Sequence, residues 1–368
     1  MTSPILQFGT SRFLQAHADL FLSQAMAQGQ DVGPITVVQS SGDATRATRL
    51  SGLVGAYPVR VEGVQNGTEI RQTITVTSIA RTLSTALNWA DVVQTFTNDT
   101  KIVLSNTGDS GFTPQPADSA DSFDQSMSYP AKLTLLLRAR LAAGGAPIQI
   151  MPMELIVDNG AVLKRRVLEL AQGDAALIRY IEQDVIWVNS LVDRIVSQPL
   201  EPAGAVAEPY ALWAIEDQPR LTLPCVHPAV QVVKSLAQIE ALKLFVLNLG
   251  HTYLADNWLA QQGPDSILVR DLMADPDTVA ALRTMLQTEV RPAFAAAGLA
   301  TEFDAYVPTT LDRFANPFLD HRIADIAQNH QQKITRRIAA MCDWAAEQGD
   351  TSPKPTLSAI IARNKDLT

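Results

Sequence analysis

Cysteine is nearly absent from this chain of 368 residues: Cys225 and Cys342 stand far apart, and there are no others. Two remote cysteines rule out a disulfide framework and a cysteine-ligated metal site, and they make the cytoplasm the expected compartment. Histidine is scarce too. Five scattered imidazoles, with no HExxH or CxxC spacing, define no metal centre. Positive charge is in deficit, 29 basic against 38 acidic residues, and a net −9 argues against a nucleic-acid partner, which needs clustered basic surface. No uninterrupted apolar run reaches the ~18 residues of a membrane helix. The first residues, Met1 to Gly9, lack the basic n-region and apolar core of a signal peptide.

What is there is a globular composition, 46% hydrophobic and 18% charged, in a chain long enough for two domains. Ile5–Phe8 is a short apolar run followed at once by Gly9-Thr10-Ser11-Arg12-Phe13 and a helical pattern to about Met26. Strand, tight turn and helix is how a dinucleotide-binding fold begins, so Phe8 to Phe13 are candidate cofactor residues. Ser11 stands where a second glycine would let the backbone approach a pyrophosphate more closely; an unrelated strand-turn-helix is the alternative.

Pro34–Val38 reads as the next parallel strand. Asp43 follows in the loop, placed to accept from a ribose and favour NAD, although Arg46 and Arg49 nearby would suit a 2′-phosphate. Tyr57–Val64 and Ile70–Thr77 alternate and flank Asn66-Gly67, a hairpin signal. Lys101–Leu104 is a buried strand whose exit, Ser105-Asn106-Thr107, faces a cofactor if the sheet is open α/β. A Ser-, Asp- and Pro-rich excursion, Pro114–Ser128, precedes a helix over Tyr129–Ala143, then a strand at Ile148–Pro152. Asp158 and Asn159 offer caps to a helix from about Ala161 to Gln172. Asp184–Val188, Arg194–Val196 and Tyr210–Ile215 are short strand-like pieces that suggest an antiparallel extension of the sheet.

After about residue 235 the pattern is helical. Gln238–Leu259 reads as one long, mostly buried helix carrying Lys243, Asn248 and His251. At 100° per residue, His251 falls roughly 80° and Asn248 roughly 140° around from Lys243. A lysine, an amide and an imidazole can thus line one cavity wall. Desolvation disfavours the charged form of a lysine in an apolar run, and a lysine tuned in that way can act as a general base. The ordinary alternatives are a lysine that snorkels to solvent and a satisfied core histidine. The expected fold is α/β: a Rossmann-type dinucleotide-binding domain with an antiparallel sheet extension over 1–235, followed by a mainly α-helical C-terminal domain over 236–368.

Lys243, Asn248 and His251 match a K-x-x-x-x-N-x-x-H motif, and with four further patches the chain resembles the mannitol dehydrogenase family of polyol-specific long-chain dehydrogenases. The patches are Phe8-Gly9 through Ala16-His17, Asp158-Asn159-Gly160, Val192–Ile195 and Arg313–Asn316, in family order. Ser105–Thr107, Ser128–Thr134 and Glu154–Ile156 look most like the family's hexuronate-reducing branch. The resemblance implies metal-independent hydride transfer between NAD and a secondary alcohol or ketone, on a sugar acid or a polyol, in a monomer or homodimer. It implies Lys243 as general acid/base, Asn248 as donor to the reacting oxygen and His251 as the orienting group, with Asp109 as a proton relay. It makes Asp43 the cofactor-selecting acid and puts Asp158, Asn159, Asp193 and Arg313 at the substrate. Arg194 is divided between substrate and a structural ion pair. His321 or Asp320 stands where relatives carry a lysine, and Leu155 where mannitol dehydrogenases carry a second amide. A sugar-alcohol or sugar-alcohol-phosphate dehydrogenase and a non-catalytic NAD or sugar sensor are the competing expectations.

Overall fold

The structure, a computed structural model, describes residues 3–43 and 47–364, with only the backbone of residues 47 and 109. Its strands are β1 (Ile5–Phe8), β2 (Ile35–Gln39), β3 (Tyr57–Gln65), β4 (Thr68–Val76), β5 (Ile79–Ser84), β6 (Ile102–Ser105) and β7 (Ile148–Pro152), then β8 (Val185–Trp187), β9 (Ser190–Asp193), β10 (Val196–Pro199), β11 (Ala205–Ala207), β12 (Leu212–Glu216) and β13 (Val230–Val233). The chain divides into two compact units. One takes the described residues of 1–61, 72–207 and 211–236; the other takes 62–71, 208–210 and those from 237 onward.

The first unit is built on a six-stranded sheet in the order β5-β2-β1-β6-β7-β8. Every pairing in it is parallel. β1, β2, β6 and β7 are buried along their whole length, which is why they read as unbroken apolar runs rather than alternating ones. Counted by its own strands in chain order, the sheet runs 3-2-1-4-5-6, the doubly wound order that reverses between β1 and β6. At such a reversal the loops leaving two neighbouring strands part company and open a crevice. Phe8 leads into one of those loops and Ser105 into the other. Leu6, Val103, Ile150 and Leu163 belong to one buried core with Phe96 and Leu133 from the covering helices.

Three expectations need correction. Residues 184–188 do not extend the sheet antiparallel: β8 pairs parallel with β7, delivered by a helix over Ala175–Gln183 that buries Leu177, Tyr180 and Ile181. The extension is two further small sheets of mixed direction. β9 runs antiparallel to β12, which lies parallel to β13, while β10 runs antiparallel to β11, which lies parallel to β3. The helix after Gly9 is broken into Arg12–Gln15 and Ala18–Ala27 at His17, whose ring bonds the Leu212 carbonyl at 2.9 Å and packs between Phe13 and Phe21. β3 and β4 meet through Asn66 and Gly67, both at positive φ, as an Asn-Gly hairpin turn requires.

The second unit is helical. The run from 237 to 260 is continuous but not uniform: α-helix over Ala237–Leu242, a π-helical stretch over Lys243–Asn248, and α-helix again over Leu249–Ala260. Its inner face, with Val246, Leu249 and Leu254, shares a core with Phe294, Phe303, Ile338 and Met341. Among the described residues no helix is long and apolar enough to cross a membrane.

Candidate active site

At the first crevice loop, Gly9 holds φ +128°, and a Cβ there would stand 2.5 Å from the Asn106 carbonyl oxygen. Only glycine lets the two crevice loops come this close. The Gly9 N–H donates to the Val38 carbonyl at 3.0 Å, and the Asn106 N–H to that of Phe8 at 2.9 Å. Ser11 caps the following turn by accepting from Leu14 N, and donates to Asn106 Oδ1 at 3.2 Å. This is a cradle that fits the backbone of a dinucleotide. Two of its expected residues face elsewhere. The Phe8 side chain is fully buried against Tyr129, so only its backbone borders the turn. Arg12 spends its guanidinium on the Gly204 carbonyl at 3.0 Å and on Glu201 at 2.6 Å, anchoring another loop rather than offering itself to a phosphate. The Thr10 carbonyl accepts from Gln15, and Phe13 stacks on His17 at 4.7 Å.

Asp43, half-buried, lies at the end of a backbone that is firmly held. Gln39 donates to the Asp43 carbonyl at 2.6 Å, and Lys132 and Gln125 both donate to the Ser40 carbonyl, at 2.9 and 2.8 Å. Burial lowers the Lys132 pKa to about 8, against the pull of Asp124 and Asp118. Sequence reasoning gave Lys132 no role, although a lone lysine in the apolar stretch 129–137 was a visible signal. Arg46 lies outside the described residues.

Beyond β6, Ser105, Asn106 and Thr107 are tied down by bonds that the sequence did not reveal. Ser105 Oγ donates to Glu154 Oε2 at 3.0 Å, and Thr107 N and Oγ1 donate to Glu154 Oε1 at 2.9 and 3.0 Å. Asn106 Nδ2 donates to the Met153 carbonyl at 2.8 Å. Asp109 opens a short 3-10 turn; its side chain lies outside the described residues.

The residues expected at the substrate fare unequally. Asp158 is exposed in a left-handed backbone conformation and makes no side-chain cap. Asn159 is corrected. Fully buried, its amide donates to the Glu154 and Ser190 carbonyls and accepts from Gly160 N and Ser190 N, which leaves nothing for a ligand. Asp193 and Arg194 are buried, and Arg194 donates to the Ala16 carbonyl at 2.5 Å, bracing the break in the first helix. Leu155 is 68% exposed, a large apolar group at the mouth of the loop after β7.

In the second unit, Lys243 and Asn248 begin and end the π-helical stretch. Its i→i+5 bonding nearly aligns residues five apart, so these two share a face far better than α geometry allows. A widened turn of this kind often marks a functional site. Asn248 uses its carbonyl to accept from Thr252 Oγ1 and Arg337 NH1, at 3.0 and 3.2 Å. Among the described residues its side-chain amide makes no hydrogen bond. His251 is buried, packed on Phe314 with ring centroids 4.1 Å apart and edge-on to His321 at 5.1 Å. Burial, then the charges of His321, Arg313, Arg337 and Lys333, hold its pKa well below 6.5. It is a neutral imidazole, fit to orient and not to carry a proton as a cation. His321 is lowered too, first by burial.

Arg313 is committed along one edge. Its Nε and NH2 form a buried fork on Glu208, at 3.0 and 2.9 Å, and its guanidinium covers the Tyr210 ring at 4.4 Å. That edge is closed to a substrate carboxylate. Lys333 and Arg337, which sequence reasoning passed over, are cations that act on His251 alongside Arg313.

Residues 3–224 match the mannitol dehydrogenase Rossmann domain, and residues 235–363 the mannitol dehydrogenase C-terminal domain. The chain is 31% identical over 385 residues to the altronate oxidoreductase of Halalkalibacterium halodurans, an alignment covering 97% of this chain and 74% of that protein. To the altronate oxidoreductase of Cronobacter sakazakii it is 28% identical, over 97% of this chain and 79% of that one. Two solved structures share its fold. D-sorbitol dehydrogenase in substrate-free form superposes with a TM-score of 0.81 at 19% identity, covering 99% of this chain and 80% of that one. The Pseudomonas fluorescens mannitol 2-dehydrogenase, in ternary complex with NAD and D-mannitol, gives 0.71 at 20% identity, covering 99% and 79%.

Proposed function

The chain belongs to the mannitol dehydrogenase family, and on that premise we propose that it interconverts a keto sugar acid of the tagaturonate type and its secondary alcohol, with Lys243 as the proton-transfer group. It is an NAD-dependent oxidoreductase acting on CH–OH groups. One observation carries the chemistry: a lysine and an amide unbonded among the described residues stand at the two ends of a single π turn, with a neutral imidazole three residues on. The uronate substrate is supported by the length over which the chain follows two altronate oxidoreductases.

NAD held at the Gly9 turn and the 105–107 loop would supply the hydride acceptor for the alcohol carbon and, as NADH, the hydride donor for the keto carbon. In the reductive direction the Lys243 ammonium donates a proton to the oxygen that becomes hydroxyl; in oxidation the neutral amine takes it back. The Asn248 amide donates a hydrogen bond to that oxygen as negative charge develops, an interaction that strengthens toward the transition state. His251, held neutral, aligns substrate or lysine. Asp43 would accept from the ribose hydroxyls of bound NAD. With the Arg313 fork occupied, Lys333 and Arg337 supply the positive field for a carboxylate.

A substrate panel read as NADH formed or consumed, at neutral and alkaline pH, tests the reading. Turnover with tagaturonate and altronate well above that with fructose and mannitol is expected. Clear turnover of the polyols and none of the sugar acids would sink the uronate assignment.

A further inference from the structure

Glu154 is the least explained acid in the first unit. Its side chain is buried, 2% exposed, and no cation pairs with it among the described residues. Burial pushes its pKa up from 4.5, while bonds from Thr107, its own backbone and Ser105 pull it down. A buried carboxylate among neutral groups is an expensive choice unless its several lone pairs are all needed. Here three donors from one loop converge on it: Ser105 Oγ on one oxygen, Thr107 N and Oγ1 on the other.

The loop so gripped is the one leaving β6 at the reversal of strand order, and its middle residue touches the glycine turn. Asn106 is held from behind by the Met153 carbonyl, at 2.8 Å. In front it accepts from Ser11 Oγ at 3.2 Å, and its carbonyl oxygen leaves no room for a Cβ on Gly9. A chain of bonds therefore runs from Glu154, through residues 105–107, to the cradle formed by Gly9 and Ser11.

We propose that Glu154 is a positioning residue of the cofactor site, fixing the 105–107 loop against the Gly9 turn and thereby setting the affinity for NADH without taking part in hydride or proton transfer. The inference rests on the NAD-dependent reading above. Glutamine is a poorer partner: with its oxygen on the two Thr107 donors, its NH2 meets Ser105 Oγ, which must then accept instead of donate, and the bonds from Thr107 go to a neutral amide rather than to a carboxylate. The loop then relaxes away from Gly9, and the cost falls on cofactor binding.

The test is NADH affinity, read by fluorescence titration, in the wild type, Glu154→Gln and Asp256→Asn. Asp256 is an equally buried acid in the second unit that binds Arg363, His330 and Asn364, so its variant loses stability while every bond of the 105–107 loop is kept. Glu154→Gln is expected to raise the Kd and KM for NADH about tenfold or more, with kcat at saturating NADH within about threefold of the wild type. Asp256→Asn is expected to lower the melting temperature and leave the Kd unchanged. An unchanged Kd in Glu154→Gln, a fall in kcat alone, or an equal rise of Kd in Asp256→Asn overturns the inference. A wild type that fails to bind NADH overturns the functional reading, and this inference with it; binding in the wild type with no change in the variant overturns this inference alone. If Glu154→Gln does not fold, Thr107→Val, which removes one donor to the same carboxylate, should raise the Kd several-fold, and no rise would refute the proposal.

Discussion

Asp19 gives the most quantitative prediction. It lies fully buried in the helix that follows the glycine turn, where Tyr57 donates to its Oδ2 at 2.9 Å. Its other oxygen, Oδ1, has no donor, and neither has the buried Oε1 of Gln7. Gln7 lies within interaction range of Asp19. Burial raises the Asp19 pKa from 3.8 to about 7, with Tyr57 and Gln7 pulling the other way. The sign follows: the folded state binds this proton more tightly than the unfolded chain, so the stabilisation is complete below pH 3.8 and is lost as pH rises through 7. At 1.36 kcal/mol per pK unit the full loss is about 4 kcal/mol, of which about 3 kcal/mol falls between pH 5 and pH 9. Asn at this position stays neutral and still accepts from Tyr57. Urea unfolding of the wild type and Asp19→Asn at both pH values reads the effect. The variant should gain about 3 kcal/mol relative to the wild type on going from pH 5 to pH 9. A constant difference between the two proteins would refute the neutral-acid argument.

His17 works in the opposite direction. Burial, outweighing its bond to the Leu212 carbonyl, lowers its pKa from 6.5 to about 3, so its contribution is present above pH 6.5 and is lost as pH falls toward 3. His17→Gln, which can still donate to Leu212, should remove about 3 kcal/mol of the wild-type loss between pH 7 and pH 4, and an acid limb as steep as the wild type's would contradict this. Gly9→Ala forces a Cβ against the Asn106 carbonyl at an unfavourable φ, and NADH titration should show binding weakened by at least an order of magnitude; unaltered binding would remove the turn from the cofactor site. Asp43→Ala should erode the preference for NAD over NADP, measured as the ratio of kcat/KM values. An unchanged ratio would mean that the ribose is held elsewhere.

The parallel sheet was legible because each central strand is an apolar run bounded by polar or glycine-rich exits, and the hairpin because Asn66-Gly67 suits one turn type. β8 was misread: three residues are too few to show a direction, which is set by the helix before them. Side chains whose partners lie far along the chain were the least legible. Arg313 reads as a free fork until Glu208, 105 residues earlier, is seen to occupy it. Asn159 reads as a substrate amide until Ser190, 31 residues on, takes both its ends. Glu154 drew no role because its partners sit 47 and 49 residues upstream. The Lys243 motif was visible in the sequence, but its π geometry was not, since six residues are too short a window to separate one helical period from another. The assigned roles of Lys243, Asn248 and His251 stand as a proposal on that geometry.

That proposal is tested most directly by steady-state NADH oxidation with tagaturonate in the wild type and Lys243→Ala, alongside NADH titration of both. The account predicts wild-type turnover and a kcat lower by several orders of magnitude in the variant, at undiminished NADH affinity. Turnover near the wild-type rate in Lys243→Ala would contradict it.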